Sequence, residues 1–407
     1  MKYVVILGDG MADEPIKELG NKTPLQYANK PMMDYMAKHG EVGMVYTIPE
    51  GMVPGSDTAN LSVMGYNPET YYSGRSPLEA VSMGVKLLDS DVTFRCNLVT
   101  LSEEGDYDEK IILDHSSDEI STEEARELIK AVNEHFKNSE IEFFPGISYR
   151  HLMLWHEGPD DFDLTPPHDI LGQKITDYLP KGKQKDIIYK MMKESYNFLQ
   201  NHPININRKK CGLKAANSIW IWGQGRKPLL PSFEEKYDLK GSVISAVDLI
   251  KGIGICAGLD SIDVEGATGN IHTNFTGKAM AAVAELKKGK DFVYVHLEAP
   301  DECGHRNELD NKVKSIELID EKIIKIIKEE LDAAGEEYKM LILPDHPTPI
   351  RLRTHTADPV PYLIYQNTKE KLNPIQSYDE ISALKSNHCF LKGHELMNYF
   401  LKCKEDE

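Results

Sequence analysis

The chain has 407 residues, 41% apolar and 28% charged, a globular composition long enough for two or three domains. Its 47 Lys and Arg face 65 Asp and Glu, a formal net charge of −18, which argues against the broad positive surface of a nucleic-acid or anionic-membrane binder. A small phosphorylated substrate is still compatible, because a local cationic pocket or a bound metal outweighs the global field. No apolar run nears the ~18 residues of a membrane span, and the first residues lack a signal-peptide pattern. Six scattered cysteines with no CxxC pair fit a reducing, cytoplasmic compartment.

The opening MKYVVIL reads as a buried strand that stops at Gly8-Asp9-Gly10. Thr23 to Gly40 has helical spacing, and Met44 to Pro49 returns to strand character. The loop Glu50 to Ser56 then leads into a helix over Asp57–Gly65. Between residues 86 and 235 the texture changes. Strands are expected at Phe94–Thr100, Ile141–Phe144, Leu152–Trp155 and Ser218–Trp222, with helices at Ser121–Phe136 and Lys185–Gln200. Gly158–Asp177 reads as loop, and antiparallel pairing is favoured in this block. From Gly241 the β-α rhythm resumes, with strands at Ser242–Ser245, Asp291–Leu297 and Lys339–Leu343. Helices are expected at Ala246–Gly252, Lys278–Lys288 and Asn311–Ala333, and the tail Asp379–Leu401 ends in helical pattern. The pattern predicts a doubly wound, largely parallel α/β sheet domain of residues 1–85 and 236–407. A smaller α/β (α+β) domain of residues 86–235 interrupts it.

Three of these strands end on acids: Asp9, Asp301 and Asp345, the last followed by His346. In open parallel sheets ligands bind at the carboxyl ends of strands. Carboxylates crowded there raise one another's pKa, a conflict that a divalent cation resolves. His305 follows Asp301 by four residues, one helical face, and a loop can fold His355 back towards His346. Oxygen and imidazole donors of this kind suit Mn²⁺, Zn²⁺, Mg²⁺ or Co²⁺. Ser56, in Pro54-Gly55-Ser56-Asp57, stands where a helix begins. An anion-stabilised, metal-activated nucleophile and an N-cap are both consistent with that position. No P-loop exists, and Gly252-Ile-Gly254 closes a helix pattern where a dinucleotide fingerprint must open one, so no nucleotide cofactor is expected.

LGDGMADEP at 7–15, PGSDTAN at 54–60, EAPDECGH at 298–305, PDHPTP at 344–349 and THTADPVP at 354–361 resemble the archaeal-type cofactor-independent phosphoglycerate mutases. These are two-metal enzymes of the alkaline phosphatase superfamily. The resemblance extends through the inserted block, with SYRHLMLW, TPPHDILG and ANSIWIWGQG. It implies an alkaline-phosphatase-like catalytic domain in which Asp301, His305 and His355 hold one ion. Asp9, Asp345 and His346 would hold the other, with Ser56 as ligand and nucleophile. The implied reaction interconverts 3-phosphoglycerate and 2-phosphoglycerate through a phosphoserine, a glycolytic step. The inserted block becomes a substrate domain that closes to exclude water. Arg150, Arg226 and Lys278 match the family's substrate-binding cations, and His168 and Asp169 are further substrate-binding candidates. Gly-Ser56-Asp57 departs from the Asn-Ser-Glu of the bacterial long form. A homoserine kinase-like phosphotransferase or a metal-dependent phosphatase of the same superfamily is therefore the alternative. Nothing in the sequence sets an oligomeric state.

Overall fold

The computed structural model describes residues 1–401, which form two compact units. The first, Met1–Tyr72 with the chain from Leu229 onward, is built on an eight-stranded sheet. Its strands lie in the order Cys389–Phe390, Glu41–Val45, Val360–Gln366, Tyr338–Leu343, Lys2–Gly8, Phe292–Leu297, Gly241–Ile244 and Asp260–Ile262. Pairing is parallel except on the two sides of Val360–Gln366. Phe292–Leu297 and Tyr338–Leu343 are buried at every position, as strands with both faces covered must be. Gly8 stands opposite Leu297 and Leu7 opposite Leu343, so the segments that follow these three strands leave the sheet along one rim.

Several local expectations are corrected. The helix expected over Thr23–Gly40 is two, Pro24–Tyr27 with a Thr23 capping box, and Pro31–His39. Pro31 keeps Lys30 out of the helical region, at φ −133° and ψ 63°. The strand expected at Met44–Pro49 lies earlier, at Glu41–Val45. The long helix is continuous from Leu309 to Ala333 but contains a π turn at Asp320–Ile324. There the Asp320 carboxylate accepts the N–H groups of Met32 and Met33, at 3.1 and 2.7 Å, capping the helix Pro31–His39. The tail ends in the expected helix, His394–Leu401, after the short helix Glu380–Leu384 and the short strand Cys389–Phe390, which Asn387, at φ 55°, sets apart from each other.

The second unit, Ser73–Pro228, is a five-stranded antiparallel sheet. Val92–Leu101 is central and pairs with Ile112–Asp114, Arg150–Trp155 and Ser218–Arg226; Ile141–Phe144 adds to Arg150–Trp155. Helices Thr122–Phe136 and Lys185–Leu199 supply Leu128, Ile129, Val132, Ile188 and Met192 to its core. The units part at residues 72/73 and 228/229 rather than at 85 and 235. The helix Ser76–Ser82 belongs with the second sheet, since Ser76 donates to the Thr93 carbonyl and Glu79 pairs with Arg95. No helix among the described residues is long and apolar enough to cross a membrane.

Candidate active site

Asp9, at the end of the first strand, and Asp345-His346, after Tyr338–Leu343, meet at the rim of the first unit. Ligand atoms of all three lie within 4.8 Å of one another. The backbone fixes Asp345: its Oδ1 accepts from the N–H groups of Gly10 and His346, at 3.1 and 2.9 Å. Gly10 adopts φ +61°, and a Cβ there would lie 2.5 Å from the Thr348 hydroxyl and 2.7 Å from Asp301. The sharp turn that delivers Asp9 therefore needs glycine. Ser56 opens the helix Ser56–Val63, and its Oγ is 3.1 Å from His346 Nε2. Asn60, one turn on, donates to the Ser56 carbonyl at 2.8 Å and to Asp345 Oδ2 at 2.9 Å. Its own Oδ1 accepts from the buried Tyr294 hydroxyl at 2.7 Å. Ser56 is thus tied to Asp345 through Asn60 of its own helix and to His346 by its side chain.

Asp301 and His305 lie one turn apart on the helix Ala299–Arg306, with His305 Nε2 3.2 Å from Asp301 Oδ2. His355 returns from the loop after the Asp345 strand, as its sequence position predicts. Its Nε2 is 2.9 Å from His305 Nε2 and 3.5 Å from Asp301 Oδ1. Asp301, His346 and His355 also fall within 4.8 Å of one another, so His346 stands between the two groups. The Thr348 hydroxyl donates to Asp301 Oδ1 at 2.5 Å and contacts His346 Nδ1 at 3.3 Å.

The electrostatics explain what this arrangement lacks. Burial, with Asp345, Asp301 and Glu298 as like-charged neighbours, pushes the Asp9 carboxyl well above the usual range. Its Oδ1 is buried and has no hydrogen-bond partner. Burial also raises Asp301, but the hydrogen bonds of His305 and His355 outweigh it and hold that carboxyl low. Two imidazole Nε2 atoms face one another across 2.9 Å. An orphaned carboxylate oxygen, crowded acids and opposed imidazoles are the donor set of a divalent-cation site, and the residues fit two ions.

A family model described as 2,3-bisphosphoglycerate-independent phosphoglycerate mutase matches residues 37–205. The mutase of that name from Methanosarcina barkeri is 49% identical over 405 residues, covering 99% of this chain and all of its own. A probable mutase of the same name from Geobacter sulfurreducens is 49% identical, covering 98% and 100%. The chain belongs to the 2,3-bisphosphoglycerate-independent phosphoglycerate mutases. Among solved structures, a Pyrococcus horikoshii protein superposes with a TM-score of 0.83 at 31% identity, covering 100% of this chain and 98% of its own. The cofactor-independent phosphoglycerate mutase of Thermoplasma acidophilum, at 24% identity and full coverage of both chains, shares the fold with a TM-score of 0.69.

The chain's other sequence candidates are distributed differently. Lys278 lies in the first unit, wholly buried, and donates to the His296 carbonyl at 3.0 Å. Burial lowers its pKa to about 8 against the opposing charge of Glu298. In the second unit the half-buried Arg226 donates to Asp160 at 2.6 Å and to the carbonyls of Ser90 and Gly158. Arg150 is exposed, with its guanidinium 5.6 Å from the Tyr149 ring. His168 Nε2 is 3.6 Å from Asp169 Oδ1, and burial lowers the His168 pKa. Around His168 lie residues the sequence reading passed over: Trp222 edge-on at 5.4 Å, His115 at 6.1 Å, and Arg95 over Trp222 at 4.6 Å. In the first unit it also missed His296, whose Nε2 is 2.9 Å from Asp9 Oδ2 and whose Nδ1 contacts Ser245 Oγ at 3.2 Å. A histidine inside the apolar run FVYVHL was the available signal.

Proposed function

We propose that this chain interconverts 3-phosphoglycerate and 2-phosphoglycerate in the cytoplasm through a phosphoserine at Ser56. Asp301, His305 and His355 would hold one divalent ion, and Asp9, Asp345, His346 and Ser56 the other, Mn²⁺ being the first choice. The observation that carries this reading is Ser56 Oγ, 3.1 Å from His346 Nε2, at the start of a helix and beside both ligand groups. Bound cations of this kind neutralise charge on the attacking and leaving oxygens of an in-line phosphoryl transfer. Ser56 Oγ forms its bond to phosphorus as the bond to one glycerate oxygen breaks. The neighbouring glycerate hydroxyl then takes the phosphoryl group back, so nothing is consumed. Backbone N–H groups at the start of the Ser56 helix favour the phosphoryl oxygens. Arg150 and Arg226, with His168 and Asp169, are proposed to bind substrate, and Lys278 to add positive charge behind Asp9.

The test is conversion of 3-phosphoglycerate with Mn²⁺ and no bisphosphoglycerate, with mass spectrometry for phosphate on Ser56. Ser56→Ala should lower turnover on the order of 10⁴-fold or more while the protein still takes up Mn²⁺. Turnover of homoserine with a phosphoryl donor, and none of phosphoglycerate, would overturn the reading.

A further inference from the structure

Lys312 lies on the helix Leu309–Ile319 with its side chain 0% exposed. Taking an ammonium out of water costs several kcal/mol unless oxygens replace the lost hydration. Val313, Ile316 and Ile319 of the same helix show that apolar residues fit there. What the ammonium adds is its partners. Its Nζ donates to Asp13 Oδ2 at 2.7 Å, to the Thr348 carbonyl at 2.8 Å and to the Ala12 carbonyl at 3.4 Å. Asp13 Oδ2 also accepts from Ile350 N at 3.1 Å, and Thr348 N donates to the Ala12 carbonyl at 3.2 Å.

These partners belong to the segments that carry the ligands. Ala12 and Asp13 follow Asp9; Thr348 and Ile350 follow Asp345-His346. The Lys312 helix itself follows the helix of Asp301 and His305 after a short turn through Asn307. Thr348 completes the link, since its carbonyl is held by Lys312 while its hydroxyl lies on Asp301 and His346. We infer that Lys312 is a positioning residue for metal binding, a buried ammonium that staples the three ligand-bearing segments in the spacing the ions need. The inference rests on the two-ion reading above.

A purely structural lysine would alter the melting temperature and leave the ions alone, so affinity must be read apart from stability. The double variant Lys312→Met with Asp13→Asn removes both charges and leaves no orphaned ion. Metal-free protein is titrated with Mn²⁺ by calorimetry, with circular dichroism to confirm the fold. Mn²⁺ affinity should fall about 10–100-fold, with turnover recovering as Mn²⁺ is raised. Lys312→Arg, which keeps the charge, should lose less. If the double variant does not fold, Asp13→Asn alone decides, because it weakens the hold on Lys312 without touching a proposed ligand, and a smaller loss of Mn²⁺ affinity is expected. Wild-type affinity in folded variants overturns the staple alone; a wild-type protein that binds no Mn²⁺ overturns the ion reading and the staple with it.

Discussion

The two ligand groups at the rim are close in space but unlike in construction. Asp9, Asp345 and His346 are 0 to 2% exposed, whereas Asp301, His305 and His355 are 9, 36 and 22% exposed. The inner three come directly off buried parallel strands. Asp345 is pinned by two backbone N–H groups and by Asn60, and Asp9 by His296. The outer three come from a helix of eight residues and a loop, and His305 is steadied by the Arg353 carbonyl at 2.9 Å. Rigid, dry ligands hold an ion at the cost of crowded charge when it is absent; exposed ligands relax and let water substitute. On the proposed two-ion reading, the inner group is expected to hold its ion more firmly than the outer group.

The largest effect expected from breaking this contrast is at Asp9. Asp9→Asn should lower turnover on the order of 10³-fold with no recovery on added Mn²⁺. In EDTA it should raise the melting temperature, because one of four crowded carboxylates, Asp9, Asp301, Asp345 and Glu298, is gone. His305→Gln should cost about 10–100-fold in metal affinity, and raising Mn²⁺ should restore most of the turnover. Kinetics across a Mn²⁺ series, with melting curves in EDTA, separate the two. If His305→Gln proves as severe and as irreversible as Asp9→Asn, the distinction between the groups fails.

A smaller effect probes the scaffold of the inner group alone. Tyr294→Phe removes the hydroxyl donor to Asn60 Oδ1 and leaves that oxygen buried without a partner. The loss should be about 1–3 kcal/mol in denaturant unfolding. A stability unchanged from wild type would mean that Asn60 does not depend on Tyr294 to hold Ser56 against Asp345.

The same contrast marks how far the sequence could be read. Acids after apolar strands, a serine where a helix begins and histidines at short spacings are local patterns that single out these residues, while their division into two ligand groups came only from the family resemblance. The doubly wound sheet was equally legible, because buried parallel strands read as short apolar runs between helices. What escaped depends on long-range contact. Lys312 reads as a solvated helix position, Thr348 as a loop residue and His296 as a core residue until their partners, hundreds of residues away in two cases, are in place. The strand Val360–Gln366 was not anticipated because Pro361 interrupts its apolar run, yet it pairs on both sides. In the second unit the grouping of Arg95, His115, His168 and Trp222 is made by strand pairing and a loop, which no spacing rule encodes.

The smallest effect lies outside both groups, at Glu380. Its carboxylate accepts from the Thr23 hydroxyl at 2.6 Å and from the N–H of Asp13 at 3.2 Å, and burial pushes its pKa up to about 7 from 4.5. The folded protein therefore binds this proton more tightly than the unfolded chain does. The stabilisation is complete below the unfolded value and is lost as pH rises through 7. Relative to Glu380→Gln, which holds no charge, the wild-type protein should lose about 1–2 kcal/mol between mildly acidic and mildly alkaline pH. Unfolding of the pair in urea across that range measures it. Because Asp13 is also the partner of Lys312, a Glu380→Gln variant that gained alkaline stability but lost Mn²⁺ affinity would show that Glu380 helps to set the staple. Unchanged affinity would confine Glu380 to packing and leave Lys312 and Asp13 to set the staple without it.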